Sequence, residues 1–141
     1  MTTPKQSKAL LIEFEVFSNY AIRVEFADDL VKAAKRHKDI ADFVSEEEDA
    51  DADAMTLYDG SMMSYIFLRP GRTYGTVAHE ALHAINYMMK KLGVKEDKRS
   101  EVTAYHLGFV VDNIVSFRQR QTRGNHGKTK HSHRGKKLRS R

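Results

Sequence analysis

Three features of the sequence predict an α+β fold. One pair of short segments alternates in hydrophobicity and a second pair reads as strands around a turn, two longer segments after them carry apolar residues at helical spacing, and the last stretch is too polar to join either. A chain of 141 residues allows one domain with one hydrophobic core, placed at residues 1–117, and a tail at 118–141. The sheet is expected to be small, and mixed or antiparallel.

Residues 1–8 are polar. Residues 9–17 pass from an apolar run into alternation, with Ile12, Phe14 and Val16 on one face and Glu13 and Glu15 on the other. Ser18-Asn19 offers a turn, and residues 20–26 alternate again, Ile22, Val24 and Phe26 opposing Arg23 and Glu25. A β-hairpin is predicted. Asp28 or Asp29 caps a short helix to Lys38 with Leu30, Val31 and Ala34 inside, and its last turn gathers cations where the helix dipole favours them. His37 reads there as a solvated or capping residue. The acidic segment Glu46-Glu47-Glu48-Asp49-Ala50-Asp51-Ala52-Asp53 lacks the glycine and terminal glutamate of a calcium loop, so it reads as a solvated, flexible loop. Two more strands, residues 55–58 and 62–68, flank the turn Asp59-Gly60, and Arg69-Pro70-Gly71 stops the second. A helix then begins at Thr73 or at Gly75-Thr76 and runs to Leu92, where Gly93 ends it. A second helix opens at Ser100-Glu101-Val102.

The net charge of +5 averages two unlike parts. Ten of the 24 Lys and Arg residues, and none of the 19 Asp and Glu, fall in residues 118–141, which leaves fourteen cations against nineteen anions before them. The body is acidic and the tail strongly basic. No apolar run approaches the roughly 18 residues of a membrane span, and the N-terminus lacks the apolar core of an export signal, so a cytoplasmic setting is expected. Cysteine is absent. Any metal must therefore be held by imidazole and carboxylate.

The pentapeptide His79-Glu80-Ala81-Leu82-His83 carries the chemistry. Helix positions i and i+4 project from one side, so His79 and His83 can grip one metal ion, and Glu80 beside them can accept a proton from an attacking water. Ala78, Ala81, Leu82, Ile85, Met89 and Leu92 form the expected apolar stripe of this helix. The histidines would lie roughly 100–140° around from its centre, with Glu80 further on.

A catalytic zinc site takes three protein ligands and leaves the fourth position open. Asn86 and Met89 stand where the metzincin pattern places glycine and a third histidine, which excludes that branch. Glu101 opens the next helix, with seventeen residues between it and His83, and shares a face with Ala104, Tyr105 and Gly108, small enough in part to let the two helices approach. His106 is the rival third ligand. It lies about 140° around the helix from Glu101, so a straight helix cannot aim both at one ion. Tyr74, Tyr105 and His106 are candidate donors to a developing oxyanion.

The run Thr76-Val77-Ala78-His79-Glu80-Ala81-Leu82-His83-Ala84, followed by Ser100-Glu101-Val102-Thr103-Ala104-Tyr105, resembles the gluzincin branch of zinc metallopeptidases. The likeness covers about 35 residues directly. It implies a zincin-like fold, with an active-site helix and a second ligand-bearing helix. It also implies zinc (Zn2+) held by His79, His83 and Glu101, Glu80 as general base, and residues 62–68 as the strand that pairs with an extended substrate. Tyr105 stands where thermolysin-like members carry an aspartate, so support for the ligands must come from elsewhere. The small size is similar to minimal zincins such as those encoded by phages.

The tail holds a single aliphatic residue, Leu138, and is expected to be disordered. Its cations suit sequence-independent binding of DNA or RNA. The expected function is a zinc metallopeptidase acting on a protein or peptide substrate, localised by the tail to nucleic acid or nucleoprotein. The alternative is a non-catalytic nucleic-acid-binding protein with a structural or vestigial zinc site.

Overall fold

The structure, a computed structural model, describes residues 9–17 and 19–139, with side chains for all of these except 96–100 and 124–139. Residues 1–8 and Ser18 of the expected turn lie outside the described residues. Four strands form one mixed sheet: β1 (Ala9–Glu13), β2 (Ala21–Phe26), β3 (Ala54–Tyr58) and β4 (Met63–Leu68), in the order β1-β2-β4-β3. Only β2 and β4 run parallel; the outer pairings are antiparallel. With helices α1 (Leu30–Lys35), α2 (Glu46–Asp49), α3 (Tyr74–Lys91) and α4 (Glu96–Arg139), the architecture is α+β.

The expected hairpin forms, but with a seven-residue connection in place of the two-residue turn. Pairing sets Ile12 opposite Ile22 and Leu10 opposite Val24. A turn at Ser18-Asn19 would instead set Phe17 opposite Tyr20, and so Ile12 opposite Glu25 and Phe14 opposite Arg23. Directly opposed residues share a face, so that register would mix apolar and charged side chains on both faces. The chain therefore leaves the ladder after Glu13. Phe14 and Tyr20 are still buried, while Val16 stands exposed.

The alternation of β2 and β4 divides the molecule into two cores. Ile12, Ile22, Val24, Phe26, Ile66 and Leu68 face α3 and α4. On the other face Met55, Tyr65 and Phe67 meet Leu30, Ala33 and Ala34 of α1 and Ile40 after it. Asp29 caps α1 by accepting from the Lys32 amide at 3.0 Å. The acidic segment, expected as a flexible loop, forms the single-turn α2 over Glu46–Asp49, capped by Ser45 and tied to α1 by Lys35 and Glu46 at 2.7 Å. That contact holds the exposed Glu46 carboxyl below its ordinary range.

Both ends of α3 are where its capping residues put them. The Thr73 hydroxyl accepts from the Thr76 amide at 3.3 Å. At the other end Val94 N–H donates to Met89 and Gly93 N–H to Lys90, the Schellman pattern, with Gly93 at φ +69°. The turn returns the chain antiparallel as α4, whose Arg118 donates to the carbonyl of Arg72 and lies over the ring of Tyr74. The basic stretch, expected to lack fixed structure, continues α4 as helical backbone to Arg139. Lys, Arg and Gln are good helix formers, and no proline follows Pro70.

Tyr20 ties the hairpin connection to the central strand through its hydroxyl and that of Ser64, 2.5 Å apart and both buried. Burial pushes the Tyr20 phenol up to about 12, the bond to Ser64 pulling less strongly the other way. An unfolded tyrosine ionises near about 10. Above that pH the unfolded chain releases a proton the folded chain keeps, so stability falls as pH climbs from about 10 toward about 12. Urea unfolding at about pH 9 and about pH 11.5 should show a loss on the order of 2 kcal/mol smaller in Tyr20→Phe than in wild type. Equal losses would contradict the assignment.

Candidate functional site

His79 and His83 stand one turn apart on the exposed side of α3, their Nε2 atoms 3.1 Å apart and their rings nearly perpendicular. Two imidazoles bound to one tetrahedral zinc at about 2.1 Å place their nitrogens roughly 3.4 Å apart, so the pair is within a few tenths of an ångström of that spacing. A hydrogen bond between one protonated and one bare nitrogen has the same length. The pair converges either way.

The buried stripe of α3 differs from the one expected. Val77, Ala81, Ala84, Ile85, Met88 and Met89 are buried, whereas Leu82 is 39% exposed and Ala78 only half-buried. The helix is thus turned by about 50° toward Glu80. Two small residues, Ala81 and Ala84, let it sit close on the sheet. As a result Glu80, not the histidines, occupies the flank of the core: it is 8% exposed and lies between the apolar stripe and the histidine pair. The Thr56 hydroxyl of β3 reaches it there, 2.5 Å from Oε2 and 3.1 Å from its backbone carbonyl.

The strand expected to receive substrate, residues 62–68, contains β4, and β4 is paired on both sides. It cannot add a further strand. The sheet edge beside Glu80 is β3, whose Tyr58 also stacks on Tyr87 of α3 with ring centroids 4.9 Å apart.

Glu101 is not brought to the histidines. After His83, α3 continues eight residues to Lys91, and α4 has returned only five by Glu101, leaving it level with the last turns of α3. The face with Ala104, Tyr105 and Gly108, expected against α3, is solvent-exposed, and a Cβ at Gly108 would meet nothing within 4 Å. Among the described residues no three His, Asp or Glu side chains converge as a metal site.

His106 is buried at the other edge of the core. Its Nδ1–H donates to the Val102 carbonyl at 2.8 Å, and its ring packs on Phe14 and Phe17 at 5.6 and 5.1 Å. Tyr105 is 72% exposed, edge-on to His106. Tyr74, also exposed, is covered by the Arg118 guanidinium 5.2 Å from its centroid.

Sequence reasoning missed two features. Thr56 carries no signal, since threonine is an ordinary strand residue. His37, expected as a solvated or capping residue, bonds Glu25 at 2.6 Å and packs on Tyr65, whose hydroxyl donates to Asp39 at 2.5 Å. Burial, reinforced by Asp39, holds the Tyr65 phenol well above its ordinary range.

Fold and site together define an α+β protein with a helix-borne histidine pair and an adjoining buried carboxylate. No family model, curated protein or solved structure matches the chain.

His106→Ala removes a buried ring and its backbone bond, and should cost about 2–4 kcal/mol in urea unfolding while leaving zinc content unchanged. Loss of zinc at unchanged stability would make His106 a ligand instead.

Proposed function

We propose that the protein is a zinc-dependent metallopeptidase acting on protein or peptide substrates. The observation that carries the proposal is the 3.1 Å convergence of His79 and His83 beside the carboxylate of Glu80. A pair of surface histidines needs no buried acid next to it, and a buried acid is costly unless something uses or satisfies it. Zinc at the pair would supply a Lewis acid that polarises the scissile carbonyl and lowers the pKa of water.

The chain's own residues would do the rest. His79 and His83 are the two imidazole ligands. Glu101 is the third ligand in this reading, which requires the first turns of α4 to move toward the histidines when metal binds, since its face of α4 is turned to solvent; the His106 ring is fixed between Phe14 and Phe17. Glu80 accepts the proton from water as it attacks, and passes it to the leaving amine. The free edge of β3 offers main-chain groups to an extended substrate.

A groove of about 650 Å³ supports a nucleic-acid contact as well. It lies beside the carboxyl end of β2, lined by Phe26, Pro70 and, from α4, Arg118 and Arg123, where the basic stretch begins. The sequence beyond adds seven cations and no acid. Asp28 also lines the groove, so the polyanion contact, and with it an enzyme brought to nucleoprotein, rests on the cations of α4 and the sequence beyond. If zinc instead acquires a fourth protein ligand and Glu80 is dispensable, the protein is a nucleic-acid binder with a structural metal.

Zinc measured by atomic absorption on the full chain should fall by about one equivalent in His79→Ala relative to wild type, a difference in which tail histidines cancel. Glu80→Gln should keep that equivalent and lose at least ~100-fold in hydrolysis of dye-quenched casein. A fully active Glu80→Gln protein would sink the enzyme reading. Binding of a labelled 30-nucleotide DNA should weaken about 10³-fold between 50 and 200 mM salt if some six phosphates are engaged. Salt-independent binding would remove the polyanion surface.

A further inference from the structure

We infer that Thr56 is a positioning residue for Glu80, an inference that rests on the metallopeptidase reading. The Thr56 hydroxyl has one proton and two acceptors in reach, Glu80 Oε2 at 2.5 Å and the Glu80 carbonyl at 3.1 Å. The shorter contact to the charged acceptor takes the proton. One carboxylate oxygen is thereby tied to the sheet, and Oε1 is left to exchange a proton with water.

Thr56 is itself held firmly. It sits in the antiparallel ladder opposite Ile66, and two residues on, on the same strand face, Tyr58 stacks on Tyr87 of α3. Strand and helix are thus joined at two points, one of which is the carboxylate.

The kind of partner matters. Satisfying a nearly buried carboxylate is most simply done with Arg or Lys, yet none of the ion pairs among the described residues engages Glu80. A cation would engage both carboxylate oxygens in a forked pair and leave neither free for water. A neutral hydroxyl orients the group and adds no counter-charge. In the step served, Glu80 Oε1 takes a proton from water as the water oxygen bonds the carbonyl carbon, then releases it to the amine nitrogen as the C–N bond breaks. Rotation of the untethered carboxylate would misplace that oxygen without changing how substrate or zinc binds.

The test compares wild type, Thr56→Val and Thr56→Ser, each as the full zinc-loaded chain, on dye-quenched casein. Thr56→Val should lower kcat at least ~10-fold with KM within about twofold, and Thr56→Ser, which restores the hydroxyl, should return kcat to within about threefold of wild type. Zinc content and thermal midpoint identify folded variants. Thr56→Val with wild-type kcat overturns the positioning role and leaves the metallopeptidase reading intact. A loss that serine does not restore, or one carried by KM or by zinc, also overturns it, since packing alone would then explain it. Wild type that cleaves nothing with zinc bound overturns both.

Discussion

The close seat of α3 on the edge of the sheet is the constraint on which the remaining geometry depends. Ala81 and Ala84 are fully buried in the core shared with the strands, and their small side chains let that side of the helix lie close to the sheet. A threonine hydroxyl on β3 can therefore touch a helix carbonyl 3.1 Å away. From that seat everything else on α3 follows by helix geometry. Val77, Ile85 and Met88 turn inward, Glu80 falls on the flank beside β3, and His79 and His83 project outward from one turn to the next. A bulkier residue at 81 or 84 would lift the helix and separate Thr56 from Glu80 before it disturbed the histidines.

The second helix has a different task. Over its first half α4 closes the core with Val110 and Ile114 and clasps the start of α3 through Arg118. Over its second half the chain is almost wholly polar and basic. One continuous helix thus links an acidic domain, on which the carboxylate and histidines are mounted, to a strongly basic segment. An isolated helix of such composition is marginal in water, so its packed half supplies the nucleus from which the rest extends.

Much of this was legible in the residues themselves. Thr73 stood among the expected starts of α3 and Gly93 at its end, Asp29 was one of two expected caps of α1, and the alternation of residues 20–26 named the inward side chains of β2. What escaped depends on contacts distant in sequence. The hairpin turn was misplaced because Ser18-Asn19 has good local turn chemistry, while the register is set by Ile12 meeting Ile22. The stripe of α3 was misplaced because Leu82 outweighs Ala84 in hydrophobicity, although the smaller residue is the one that fits against a strand. Thr56 could not be found at all: its significance comes entirely from a residue 24 positions away. The distance from His83 to Glu101 looked favourable as a count, and only the lengths of the outgoing and returning helices show how far apart the two stand.

The claim that His79 and His83 hold a catalytic zinc is tested most directly by a crystal structure of the full chain with zinc, using anomalous scattering at the zinc edge. The account predicts a peak about 2.1 Å from both Nε2 atoms, a carboxylate from Glu101 in the same sphere, and one position left to water. A chain that crystallises zinc-loaded with no peak between the two histidines would contradict it.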